Sequence, residues 1–279
     1  MINLAFVFDS YGRQARLYPG LLTLFPPLLT LIAWFPGLIT SSIGATLLTI
    51  ASSCGLLYGL AVLSRSQGKR AEKRLLRKWG GWPTTIWLRH KSEYLQPQTL
   101  QRYHQFLTTK VPQLSLPTAE EEKLDPRNAD FAYASGVKWL QEQCRGKEFP
   151  LVERENAEYG FRRNLLGLRP IGLTAATMAI ALCLVVNTNA HQEIGIVFRS
   201  FALGRIWNVI STLPPTVFGA SVVDLIAVVG WLTVVRDKWV REAGDQYTRA
   251  LLACCDTLGN SKRKPNDKTK RASRGRSSK

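Results

Sequence analysis

The sequence predicts an all-α integral membrane protein, with four transmembrane helices in two hairpins and a helical cytoplasmic domain between them. Three observations lead to this fold class. No ionisable residue occurs in the 48 positions of residues 17–64, whereas about 20 apolar residues cross a bilayer. A second stretch after Pro170 is apolar enough for two more helices. The 37 lysine and arginine residues, against 20 acidic ones, lie mainly outside these stretches.

The N-terminal hairpin is predicted for residues 1–64. A single helix over the charge-free run would be about 72 Å long, more than twice the thickness of the hydrocarbon core, so the chain must turn back. We place the turn at Pro36-Gly37, between spans at residues 19–35 and 38–63. A cleaved signal peptide is the alternative for the first span. The kink-forming pair Pro26-Pro27 and the absence of a small-residue cleavage pattern argue against it.

The C-terminal hairpin is predicted for residues 171–235, where the chain becomes apolar again. One span covers about residues 171–190. The other covers about residues 214–235, because the pair Pro214-Pro215 suits the first turn of a helix. Residues 194–213 mix two arginines with aromatic side chains, which predicts a short connector near the membrane surface.

Between the hairpins, residues 65–170 predict a helical domain with its own core. Apolar side chains at helical spacing predict a helix over residues 97–110. At Asp125-Pro126, a capping residue followed by a proline predicts the start of another helix. Its expected apolar positions are Phe131, Ala134, Val137, Leu140 and Cys144.

Two further segments follow the fourth span. Residues 236–258 predict an amphipathic helix that packs either on the protein's own middle domain or on another subunit. Residues 259–279 carry nine lysine or arginine residues against one acid, Asp267. This composition predicts a disordered basic tail that binds anionic lipid or nucleic acid.

The distribution of basic residues predicts the orientation. With four spans, 35 of the 37 lysine and arginine residues fall on one side of the membrane. Basic residues are retained on the cytoplasmic side, so both termini and residues 65–170 are expected to be cytoplasmic. Five cysteines without paired spacing fit a reducing compartment. The expected location is the cell inner membrane, with anionic lipids as partners.

The second span carries two kinds of small residue on adjacent sides. At 100° per residue, a hydroxyl stripe forms along one side and comprises Ser42, Thr46, Thr49 and Ser53. Gly55 and Gly59 form a small-xxx-small surface that lets another helix approach. The stripe indicates either a pore-lining helix of a homo-oligomer or hydroxyls that bond back to their own backbone.

Asp224 is the only acidic residue within a predicted span. An unpaired carboxylate facing lipid is costly, so we expect Asp224 to be buried against a helix that Ala220 and Ala227 allow to approach. Two roles are then open for it, a structural hydrogen bond between helices and ion conduction or gating.

Two strings beside the membrane stand out, at residues 77–85 and 155–164. The first is rich in tryptophan and glycine, and the second combines an arginine pair with Tyr159 and Phe161. The paired glycines of the first string predict a sharp turn. We expect contacts with lipid phosphates or a small anionic ligand from the basic and aromatic side chains of both strings: Arg77, Lys78, Trp79, Trp82, Arg162 and Arg163.

With these strings and its span layout, the sequence resembles uncharacterised bacterial multi-pass inner-membrane proteins that share the layout of membrane effectors of anti-phage systems. The resemblance implies two membrane hairpins around a cytoplasmic helical domain and an effector role. It brings no catalytic residue.

No enzyme signature occurs in the sequence, and no metal site or cofactor is expected. Glu120, Glu121 and Glu122 are interpreted as a solvated helix start, and the adjacent Cys254 and Cys255 as buried or lipidated. The predicted function is an oligomeric channel or membrane-disrupting effector, gated through its cytoplasmic domain by a regulatory protein or a small anionic ligand. The alternative is a membrane-anchored adaptor that recruits a protein or nucleic acid through that domain and the basic tail.

Overall fold

The structure is a computed structural model that describes residues 9–37, 41–42, 44–46, 49, 55–146, 148–186 and 213–261. Throughout these ranges the regular structure is helical, and no strand occurs in them. The all-α fold class is therefore confirmed. The predicted connector up to residue 212, Ser53 and the tail from residue 262 lie outside the described residues.

The helices have the following bounds. In chain order they are α1 (Ser10–Trp34), α2 (Leu56–Trp79), α3 (Pro83–Leu88), α4 (Pro97–Lys110), α5 (Ala119–Leu124), α6 (Pro126–Gln143), α7 (Pro150–Val186), α8 (Pro215–Thr233) and α9 (Asp237–Ser261). Residues 42, 44–46 and 49 are also helical.

Three of these helices, α1, α7 and α8, are long and apolar enough to cross a membrane. Helix α8 begins at Pro215, where the proline pair predicts a helix start. The second predicted span, residues 38–63, lies largely outside the described residues. Its described part is interrupted at Gly55, where φ is +71° and α2 begins one residue later.

The chain divides into two compact units. Unit 1 comprises Met1–Leu75 and Ala157–Ala243, and unit 2 comprises Leu76–Asn156 and Gly244–Lys279. The two ends of the segment predicted as a cytoplasmic domain, residues 65–75 and 157–170, therefore belong to the unit that contains the apolar helices.

Unit 1 packs through close helix contacts at glycines. A Cβ on Gly167 of α7 would lie 2.4 Å from the backbone of Gln67 in α2, and a Cβ on Gly172 would lie 2.3 Å from the ring of Trp231 in α8. No larger residue fits either position without moving its neighbour. Small residues are the usual means by which membrane helices approach closely.

Unit 2 has a hydrophobic core built from α3, α4, α6 and α9. Leu88, Leu107, Tyr133, Leu140 and Leu251 are fully buried in it. Because α9 contributes to this core, the predicted amphipathic helix packs on the protein's own middle helices, the first of the two alternatives. It also runs through Ser261, beyond the point where the sequence predicts the tail to begin.

Several local predictions are confirmed. Helix α4 buries Leu100, Tyr103 and Leu107, and Asp125 caps α6 by accepting a hydrogen bond from the Asn128 N–H at 3.0 Å. Gly80 and Gly81 have φ values of +76° and +137°, which ends α2 in a sharp turn.

The buried face of α6 differs from the prediction. Phe131 is 62% exposed and Ala134 is exposed, whereas Ala129, Tyr133 and Gly136 are buried beside Val137 and Leu140. The buried stripe is thus centred nearer to Tyr133, whose hydroxyl has a polar partner inside the unit.

Candidate functional site

Asp224 lies at the interface of α1 and α8, with no exposed surface. The Thr30 hydroxyl of α1 donates a hydrogen bond to Asp224 Oδ2. Asp224 Oδ1 has no hydrogen-bond partner among the residues that the structure describes. Ala220 is 8% exposed and Ala227 is half-buried, consistent with the small-residue approach predicted around Asp224. The carboxyl therefore faces a helix of its own chain.

A second polar contact joins all three apolar helices. The Trp34 indole N–H of α1 donates to Cys183 Sγ of α7 at 3.3 Å. The Ser221 hydroxyl of α8 lies 3.3 Å from the same sulfur and 2.9 Å from the Val217 carbonyl. Sequence reasoning missed this contact, although Ser221 stands three positions before Asp224 and its spacing places both on one side of α8.

The described members of the hydroxyl stripe, Ser42, Thr46 and Thr49, are exposed. Thr46 Oγ1 donates to the Ser42 carbonyl and Thr49 Oγ1 to the Ala45 carbonyl, both at 2.8 Å. These hydroxyls therefore bond back to their own backbone, as the second interpretation of the stripe expects. All three side chains nevertheless keep exposed surface on this face.

The glycine surface predicted beside the stripe has no helix packed on it in the part of the chain that is described. Gly55 lies before α2 in a left-handed conformation, and a Cβ on Gly59 would meet nothing within 4 Å. Packing on this surface stays a prediction.

A buried ion pair connects α2 and α7 in unit 1. Glu72 and Arg163 are 4% and 7% exposed, and Arg163 Nη1 donates to Glu72 Oε1 at 2.7 Å. Tyr159 also donates to Glu72 Oε1 at 3.3 Å, and Lys69 donates to Oε2 at 2.7 Å. Burial alone raises the pKa of Glu72, but the Arg163 charge and the hydrogen bonds from Lys69 and Arg163 outweigh burial and hold the pKa below 4.5.

Asn164 extends this cluster. Its side-chain N–H donates to the Ala15 carbonyl of α1 at 2.6 Å, and its oxygen accepts from Arg163 Nε at 3.1 Å. A Cβ on Gly68 of α2 would lie 1.8 Å from Asn164 Oδ1, so only glycine fits there. The second string at residues 155–164 therefore supplies interior contacts of unit 1.

The predicted lipid contacts differ in their surroundings. Arg163 has Glu72 as its partner, and this intramolecular pair replaces the lipid phosphate or ligand that we expected there. Arg162 donates to Glu158 at 2.7 Å and to the Trp239 carbonyl at 3.1 Å, with its guanidinium 4.8 Å from the centre of the Trp239 ring. From the first string, Arg77, Lys78 and Trp82 are exposed and Trp79 is half-buried.

Unit 2 contains a cluster of ionisable side chains. Glu122 is 6% exposed, and its Oε2 accepts from the Tyr133 hydroxyl at 2.7 Å and from the His90 backbone N–H at 2.8 Å. The rings of His90 and His104 meet edge to face at 4.9 Å. Burial raises the pKa of Tyr133 and lowers that of His104 below 6.5. The prediction of a solvated glutamate run is thus wrong for Glu122, although Glu120 and Glu121 are exposed.

The cysteines of unit 2 lie in its core. Cys144, Cys254 and Cys255 are free thiols that are 2% to 4% exposed, as expected for packed cysteines. No group of three or more histidine, cysteine or acidic side chains is placed to hold a metal ion within the described ranges.

A scan against protein-family models and searches of curated proteins and solved structures found no match to this chain.

Substitutions at Asp224 and Thr30 test the contact between α1 and α8. We expect Thr30→Val to lower the free energy of unfolding in detergent by about 1 kcal/mol, the usual scale of a hydrogen bond between membrane helices. Asp224→Leu should lower the free energy of unfolding by more than Thr30→Val does. Asp224→Asn should lower it little, because the carbonyl oxygen of asparagine still accepts the hydrogen bond from Thr30. Thr23→Val is the control, since the buried Thr23 hydroxyl bonds only within α1, to the Pro19 carbonyl at 2.7 Å. Equal losses from Thr23→Val and Thr30→Val would contradict the assignment.

Glu72→Gln should lower the free energy of unfolding by about 3 kcal/mol, because Arg163 is then buried without a counter-charge. Since folding lowers the pKa of Glu72, its ionised form stabilises the protein above pH 4.5, and this contribution is lost as the pH falls through the lowered value. Unfolding in detergent across this pH range should show the dependence in the wild type and lose it in Glu72→Gln. Glu142→Gln, at an exposed position, should keep both the stability and the pH dependence.

Proposed function

We propose that the protein is an oligomeric inner-membrane channel or membrane-disrupting effector, gated through unit 2 by a ligand or a partner. The observation that carries the proposal is the exposed stripe of Ser42, Thr46 and Thr49, within a run that contains no ionisable residue. A hydroxyl-bearing face is better accommodated against water or a second polar face than against hydrocarbon. Several copies that turn this stripe towards one axis would surround a polar path.

Three features support this assignment. Helices α1, α7 and α8 have the length and composition of membrane spans. Many large apolar side chains of α1 and α8, and Met178 and Leu182 of α7, are exposed in the single chain, as lipid-facing side chains are. Unit 2 has a core of its own, so it can act as a domain that receives a signal.

The orientation is part of the proposal. Both termini and unit 2 are cytoplasmic, because this arrangement leaves 35 of the 37 lysine and arginine residues inside. Anionic lipids are then natural partners of the exposed basic side chains that follow the apolar run.

Cysteine labelling with a membrane-impermeant maleimide in spheroplasts tests the orientation. A cysteine at Lys123 should be labelled only after the membrane is broken. A cysteine at Gly37, an exposed position in the predicted turn between the first two spans, should be labelled from outside. The described native thiols are buried, which keeps the background low. Labelling of the Lys123 position in intact spheroplasts would contradict the topology.

Ion flux from liposomes tests the pore. We expect Thr46→Val combined with Thr49→Val to lower flux at least several-fold, because valine keeps the shape of threonine and removes the hydroxyl from the path. The matched control combines Thr174→Val with Thr177→Val on α7, since these threonines are also exposed and bonded to carbonyls of their own helix. A similar loss in both double variants would remove the stripe from the mechanism.

The second candidate is a membrane-anchored adaptor, and one observation favours it. Several polar groups of the apolar segments find partners within the chain, since Thr46 and Thr49 bond to their own backbone and Asp224 Oδ2 accepts from Thr30. Absence of flux from the reconstituted wild-type protein, together with intact insertion, would support the adaptor.

A further inference from the structure

Unit 2 contains a cavity of about 530 Å³, which has no role in the function proposed above. This volume lies within the range of small-molecule sites. Its ionisable lining residues are Arg89, His90, Lys91, Glu122 and Lys123. Positive charge therefore predominates in the wall.

Two of these side chains are fixed by the fold. Arg89 donates to both carboxylate oxygens of Asp130, at 2.8 and 2.7 Å, and to the Gly80 carbonyl at 2.8 Å. His90 Nε2 lies 2.9 Å from the Pro117 carbonyl. The wall of the cavity is thus held in place before any ligand binds, which lowers the entropic cost of binding.

The two lysines have no such partners. Lys91 and Lys123 are exposed and make no ion pair with any residue in the described ranges. Their ammonium groups carry charge that an anion can neutralise. The acid in the wall, Glu122, already accepts two hydrogen bonds on Oε2, which reduces its repulsion of an anion.

We propose that this cavity binds a phosphate-bearing small molecule, with Lys91 and Lys123 as its main contacts. A phosphate carries up to two negative charges and several acceptor oxygens, so it can accept from more than one ammonium group, whereas a single carboxylate carries one charge. The site supplies the ligand-binding step of the proposed gating. Only this link to gating rests on the proposed function. Binding of the phosphate itself does not, because binding is measured without ion flux.

Calorimetric titration of the detergent-solubilised full chain with inorganic pyrophosphate tests the site. We expect saturable binding that weakens as the salt concentration rises. Lys91→Gln and Lys123→Gln should each weaken binding about tenfold, the scale of one hydrogen bond to a charged group. Lys138→Gln, at an exposed lysine of α6 outside the cavity, is the control and should bind as the wild type does.

Lack of saturable binding, or equal weakening by Lys138→Gln, would overturn the site. The source of the phosphate is identified in nanodiscs. Loss of pyrophosphate binding when phosphatidylcholine is replaced by phosphatidylglycerol assigns the site to a lipid headgroup, and unchanged binding assigns it to a soluble phosphate. Retained binding in a protein without ion flux would leave the site intact and refute the channel.

Discussion

The buried carboxylate of Glu72 is the constraint on which the packing of unit 1 depends. Glu72 is 4% exposed, and burying its charge costs several kcal/mol of folding free energy unless cations and hydrogen-bond donors surround it. Arg163, Tyr159 and Lys69 meet this requirement, and two of them come from α7. The register between α2 and α7 is therefore fixed by these hydrogen bonds as well as by close packing. Asn164, adjacent to Arg163, then occupies the space that Gly68 leaves open.

The same requirement, that a buried polar group has a partner, applies to the polar groups of the three apolar helices. Thr30 and Asp224 are fully buried against each other, and Trp34 and Ser221 meet Cys183. The exposed threonines of α7 instead bond to carbonyls of their own helix. The polar side chains named here are thus either buried against a neighbouring helix or bonded locally, as an apolar solvent demands.

Local signals predicted local structure well. The cap at Asp125, the proline pair before α8 and the glycines after α2 each act within a few residues of where they stand. The missed contacts join distant parts of the chain. Glu72 stands among cations in the polar second half of α2, and nothing in its own neighbourhood identifies Arg163, 91 positions away, as its partner. The acidic neighbours of Glu122 likewise predict a solvated position, whereas its burial depends on Tyr133 and His90.

Asp224 and the hydroxyl stripe differ in their surroundings, and they would therefore contribute differently to a pore. The Asp224 carboxyl is enclosed by its own chain, so it acts first on the contact between α1 and α8. The described stripe residues are exposed, so a second copy can meet them without disturbing that contact. If the protein conducts ions, the polar path follows the stripe, and Asp224 affects conduction through the position of α1. In the proposed channel the stripe therefore lines the path, even though Asp224 is the only acid in a predicted span.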